Sequence, residues 1–166
     1  IVWQDRRTAD FCRDRASDES WIADKTGLVL DPYFSATKVR WLLQRDPAIR
    51  AQAEAGQLAW GTIDSWLLWR LTGGEVHATD FTNASRTLLL DLKTIAWDAE
   101  LCRYFDIPEG ILPKLAPSAS PFGITANLAF LPSGIPITGV AGGQQAALFG
   151  QGGLTQGGAK CTYGTG

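Results

Sequence analysis

Ile135-Pro-Ile-Thr-Gly-Val-Ala-Gly-Gly-Gln-Gln-Ala-Ala-Leu-Phe-Gly150 puts an apolar run, a glycine corner and a stretch of small helix formers in immediate succession. The run has the near-continuous hydrophobicity of a strand covered on both faces, and a helix is predicted from Gln144 onward with no loop between. A strand that turns through glycines straight into a helix is a building unit of α/β architecture. Such a corner presents a side chain to a cleft, yet the residue before the paired glutamines is Gly143, which has none.

The segments upstream alternate irregularly between helix and strand patterns. Ile1-Val-Trp3 is expected to be a short strand ending in the polar Gln4-Asp5-Arg6-Arg7. After the turn Thr26-Gly-Leu-Val-Leu-Asp-Pro-Tyr33, Ser35 is placed to cap a helix carrying Val39, Leu42 and Leu43 on one face. Asp46-Pro47 ends that helix and opens another that runs to Gly56, because proline lacks an N–H and glycine tolerates positive φ. Residues 58–60 are expected as a strand. Ile63, Trp66, Leu67 and Leu71 recur at helical spacing, so residues 62–72 are predicted to form a largely buried helix closed by Gly73-Gly74. Strands at 76–81 and 87–92 are expected around a polar turn at 82–86, followed by a helix at 98–105, proline-rich connections and a last strand at 159–165. The pattern predicts a mixed sheet flanked by helices, fold class α/β.

Composition narrows the partners. The 166 residues carry a formal charge of only −2 with both signs interspersed, which excludes the basic footprint of a nucleic-acid groove and points to a small or neutral ligand. Cys12, Cys102 and Cys161 are odd in number and far apart, which speaks against a disulfide framework or a zinc site and for a reducing, cytoplasmic compartment. No apolar run approaches the length of a membrane span. The chain contains no methionine, position 1 included, and is expected to be a piece of something longer.

Several residues stand out as candidates. Asp80, Thr82, Asn83 and Ser85 form a dense run of short polar side chains, equally suited to the border of a polar pocket and to an ordinary turn. His77, the only histidine, has no companions that would make it a metal ligand and reads as a plain strand residue. Lys38 and Trp41 lie one helical turn apart and read as packing.

Five segments, in order along the whole chain, resemble the FGGY family of carbohydrate kinases, and within it the members that phosphorylate glycerol. They are Ile1-Val-Trp-Gln-Asp-Arg-Arg7, Thr26-Gly-Leu-Val-Leu-Asp-Pro-Tyr-Phe-Ser35, Thr79-Asp-Phe-Thr-Asn-Ala-Ser-Arg-Thr87, residues 139–151 and Thr162-Tyr-Gly-Thr-Gly166. The resemblance implies a ribonuclease H-like, actin-like ATPase fold of two domains that moves the γ-phosphoryl group of ATP, with Mg2+, onto a polyol hydroxyl in the cleft between them. On that basis residues 1–152 are expected to be the remainder of the first domain, its sheet incomplete, and residues 153–166 the opening strand of the second. The full-length enzyme is expected to be a homo-oligomer.

The resemblance also assigns roles. Trp3 is implied as the aromatic plate against the carbon side of the polyol, Tyr33 and Gln144 as substrate contacts, and Gly164 and Thr165 as groups approaching the nucleotide phosphates. The family places an aspartate where Gly143 stands, to accept the proton of the attacking hydroxyl, so this chain is expected to be inactive. Two alternatives stay open: a non-catalytic polyol-binding or assembly module, and a kinase for a related sugar such as a pentulose.

Overall fold

The computed structural model describes residues 1–163. Its elements are α1 (Ala9–Asp14), α2 (Glu19–Thr26), α3 (Ser35–Arg45), α4 (Pro47–Glu54), α5 (Ile63–Leu71), β1 (Ala78–Asp80), α6 (Phe81–Ala84), β2 (Leu90–Asp91), β3 (Ala96–Trp97), α7 (Ala99–Tyr104), β4 (Lys114–Ala116), β5 (Ala119–Ile124), β6 (Pro136–Gly139) and α8 (Gly143–Gly150). Each strand has a single partner among the described residues. β1 pairs with β4 in parallel, whereas β2–β3 and β5–β6 are antiparallel, so the expected mixed sheet exists as separate two-stranded pieces.

Local chemistry explains the helix ends. The Asp46 carboxylate accepts the amides of Ala48 and Ile49, with Pro47 in the first turn of α4. Asp98 does the same for α7 through the Leu101 amide at 2.8 Å, and Lys25 holds the other oxygen of Asp98 at 2.6 Å, tying α2 to α7. Gly73 and Gly74 follow α5 with φ of +67° and +91°, the left-handed conformation that a side chain disfavours. α3 departs from expectation: Phe34 rather than Ser35 holds the cap position, without a side-chain hydrogen bond, and the Ala36 amide instead donates to the distant Thr87 carbonyl at 2.9 Å.

The main core lies among α2, α3, α7 and the segments between them, where Ile22, Ala36, Leu89, Leu101 and Phe105 have no exposed surface. A smaller core of Leu68, Ala78 and Phe122 sits under α5, with Val76, Ile137 and Val140 against it.

Four expectations fail for one reason: burial and pairing need partners from elsewhere in the chain. Residues 1–3 form no ladder; Trp3 and Gln4 lie in a turn closed by the Asp5 amide on the Val2 carbonyl. Residues 58–60 form no strand; their one backbone-to-backbone bond runs from the Trp60 amide to the Ile111 carbonyl. The α5 stripe is turned outward: Ile63, Trp66, Leu67 and Trp69 are exposed, while Asp64, Ser65 and Leu68 are buried. β6 is mostly exposed, not covered on both faces. The polar turn at 82–86 contains a one-turn helix, α6, and β4 and β5 arise in the proline-rich stretch where no strand is expected. The strand expected at 159–165 is absent through residue 163.

No disulfide forms among the described residues, as the cysteine spacing predicts. Burial pushes the Cys12 thiol up to about 11 and the Cys102 thiol to about 12, while Cys161 is exposed. A thiol reagent at neutral pH is expected to modify Cys161 at least ~100-fold faster than either buried thiol, with all three reacting in denaturant; mass spectrometry of the labelled peptides reads the order directly.

Candidate functional site

An open cavity of about 810 Å³ lies between the first residues, α3 and the start of α5, within the range of ligand pockets (~300–1,000 Å³). Its walls include Trp3, Tyr33, Lys38, Trp66, Asn83 and Arg86. Trp3 and Tyr33, thirty positions apart, are brought to 5.7 Å between ring centroids with their planes tilted by 51°. Tyr33 is held from below, where its amide donates to the Asp31 carboxylate at 2.7 Å and its ring meets Phe34 edge-on at 5.1 Å.

The cavity carries cations and no carboxylate. Lys38 is buried, and burial lowers its pKa; Asp5 and Asp31 partly oppose that shift, and Arg6 and Arg7 add to it. Arg86 stacks over Phe34 at 5.1 Å. Asp5, the nearest carboxylate in sequence to Trp3, is taken by a two-pronged pair with Arg7 at 2.7 to 3.0 Å. Those hydrogen bonds, side chain first and then the Arg7 amide, bring its pKa down to about 2. Arg7 in turn stacks on Trp41 at 4.4 Å. A carboxylate so engaged is a poor proton acceptor.

Gly143 and Gln144 do not line this cavity. Gly142 caps α8 and Gly143 is its first residue, one position before the expected start at Gln144. Gln144 faces a second cavity of about 370 Å³ with Lys160, whose ammonium donates to its side-chain oxygen at 2.7 Å. The two regions meet through the loop after β1. The Gly142 amide donates to the Thr82 hydroxyl at 2.7 Å, and the neighbouring Asn83 lines the aromatic cavity. A Cβ at Gly142 would lie 2.7 Å from the Gln145 side chain, whereas one at Gly143 would meet nothing within 4 Å. The position is therefore open to a side chain. Gly164 and Thr165 lie outside the described residues.

Asp80 organises that junction. It has no exposed surface, yet its carboxylate accepts from the Thr82 amide and hydroxyl, the Asn83 amide and side chain, and the Ser118 hydroxyl, all within 3.0 Å. Burial raises its pKa, but the bonds from Ser118, Thr82 and Asn83 outweigh that, and the net shift is downward. The polar run 80–85 is thus more than an ordinary turn. His77 donates from Nε2 to the Trp60 carbonyl at 2.7 Å, since a carbonyl can only accept, and the described residues contain no group of three or more His, Cys, Asp or Glu placed to hold a metal. Lys38, Asn83 and Arg86 were not legible as a shared wall; each sits in a segment whose local pattern also fits a plain helix face or turn.

Residues 1–150 match the N-terminal domain of the FGGY family of carbohydrate kinases, and the chain belongs to that family. It is 57% identical over its whole length to the glycerol kinase of Thermus brockianus, covering 34% of that protein. The Plasmodium falciparum glycerol kinase with ADP superposes with a TM-score of 0.93 at 40% identity, over 99% of this chain and 33% of that one. The xylulose kinase of Lactobacillus acidophilus gives 0.71 at 27% identity, over 89% and 30%. The fold is that of the actin-like ATPases, and the chain spans about a third of the length of these relatives.

Replacing Asp80 by Ala is expected to destabilise the chain by about 2–4 kcal/mol in urea unfolding, because it strands several buried donors. Since the folded pKa of Asp80 lies below the unfolded value near ~4, its contribution is complete above that pH and is lost as pH falls through the folded pKa. The Asp80→Asn variant should therefore show a shallower loss of stability on the acid side; an unchanged slope refutes the assignment.

Proposed function

We propose that the chain is the substrate-binding part of the first domain of a kinase that phosphorylates glycerol with ATP, yielding glycerol 3-phosphate. The observation that carries this reading is the pairing of Trp3 and Tyr33 across one wall of an open cavity. An aromatic plate suits the C–H face of a small polyol and a phenol hydroxyl suits its oxygens. Support for glycerol over a pentulose comes from the printed names of relatives: glycerol kinase at 57% and 40% identity, xylulose kinase at 27%. Support for a nucleotide comes from the ADP in the Plasmodium structure.

In this reading residues 1–152 belong to the first domain and residues 153–166 open the second, where Gly164 and Thr165 approach the phosphates. Gln144 completes the polyol contacts when the second cavity and the first face one bound substrate. Magnesium is proposed to enter with the nucleotide, whose phosphates need charge compensation; the described residues offer no ligand set of their own for it. The working compartment is the cytoplasm and the full-length enzyme a homo-oligomer.

The first turn of α8 is where the proton of the attacking hydroxyl would be accepted, and Gly143 has no group to accept it. No carboxylate among the cavity residues replaces it, and Asp5 is engaged by Arg7. Phosphoryl transfer by this sequence is therefore slow even when both domains are present.

Glycerol titration and ATP consumption measured on one sample test the reading. Binding without turnover is the expected result, and no binding rejects the substrate assignment. Because the space at position 143 is open, Gly143→Asp in a polypeptide of family length is expected to raise the phosphorylation rate by at least ~100-fold. Equal rates for the two versions, with glycerol still bound by both, would leave the non-catalytic binding module as the better account.

A further inference from the structure

We propose that Lys38 is a positioning residue that clamps Trp3 against Tyr33; the proposal rests on the reading of these two rings as the polyol site. Lys38 sits in the first turn of α3 and is 6% exposed. Its ammonium donates to the Val2 carbonyl at 2.7 Å and to the Tyr33 carbonyl at 3.2 Å. The first acceptor immediately precedes Trp3 and the second belongs to Tyr33 itself, so one cation holds the main chain of both rings.

Nothing else among the described hydrogen bonds does this work. Residues 1–3 belong to no sheet, and their backbone is held by the Asp5 amide on Val2 and by Lys38. The Val2 and Trp3 side chains are exposed, so packing alone gives the segment little restraint. Tyr33 is tied to Asp31 but not to Trp3 by any hydrogen bond. Carbonyls from two separate segments converge on a buried ammonium that has no carboxylate within ion-pair distance, an arrangement a solvated surface lysine does not adopt. A charge-assisted bond of this kind is stronger than a neutral one and directional, and it fixes the separation of the plates before a ligand arrives, which lowers the ordering cost of binding.

The test compares the unaltered chain with Lys38→Met, which keeps the aliphatic stem and deletes the donors, and Lys38→Arg, which keeps cationic donors. The Trp3 ring signals are assigned with a Trp3→Phe control, and the cross-relaxation between the Trp3 and Tyr33 rings is measured together with the slow exchange of the Phe105 amide as a control for the core. Lys38→Met is expected to keep the Phe105 protection, lose the ring-to-ring signal and weaken glycerol binding about tenfold or more, and Lys38→Arg to recover both in part. A folded Lys38→Met chain with the ring-to-ring signal intact overturns the clamp, whatever happens to affinity. Loss of that signal in a system where the unaltered chain binds no glycerol upholds the clamp and rejects the polyol reading. Should Lys38→Met not fold, side-chain 15N labelling of the unaltered lysines decides the matter: a slowly exchanging Lys38 ammonium with cross-peaks to the Val2 and Tyr33 α-protons supports the clamp, and a rapidly exchanging one without them refutes it.

Discussion

The buried carboxylate of Asp80 is the constraint on which the junction of the molecule depends. It closes β1, caps the one-turn α6 through the amides of Thr82 and Asn83, and reaches the Ser118 hydroxyl on the far side of β4. By accepting the Thr82 hydroxyl proton it leaves that oxygen free to accept the Gly142 amide, so the glycine corner ahead of α8 hangs from the same charge. A lone buried charge is costly unless its lone pairs are filled. Five donors fill them here, four from the nearby Thr82 and Asn83 and one from the distant Ser118.

From that junction two surfaces diverge. On one side Asn83 joins Trp3, Tyr33, Lys38 and Arg86 around the larger cavity; on the other, Gly143 and Gln144 begin a helix that faces the smaller one. The cavity's cations are restrained in different ways, Lys38 by backbone carbonyls and Arg86 by the face of Phe34. The open space at Gly143 means that a Cβ placed there would meet no neighbour within 4 Å. The form of the corner therefore does not depend on a side chain at position 143, because the hydrogen bond that holds it acts on the Gly142 amide, one residue earlier.

Legibility tracked the range of the interaction. The Asp46-Pro47 and Asp98 starts, the Gly73-Gly74 stop and the order of β6 and α8 were readable, because a cap or a glycine acts within a few residues of itself. The same reading went wrong for α5. Its apolar spacing is real, but only a partner decides which face is covered, and here β1 and the second core take Asp64, Ser65 and Leu68 while the tryptophans face outward. β4 and β5 were missed because three and six residues among prolines carry no period strong enough to see. Of the candidate site, Trp3 and Tyr33 stand out in the sequence and are neighbours in space, whereas Gly143 and Gln144 stand out but do not line the cavity; Lys38 reads as packing, since a helical lysine looks the same whether its ammonium meets water or a pair of carbonyls.

The sequence by itself determined the α/β class, the starts of α4 and α7, the stop of α5, the absence of a disulfide pattern and the family, all of which follow from patterns written within short windows of chain. Only the tertiary structure decided that the Ser118 hydroxyl would reach the Asp80 carboxylate, that the Gly142 amide would hang from Thr82, and that one lysine would join the two aromatic segments. Those outcomes depend on distances between residues far apart in sequence, and a hydrogen bond or an ion pair acts over a few ångströms of space regardless of how many residues separate its ends.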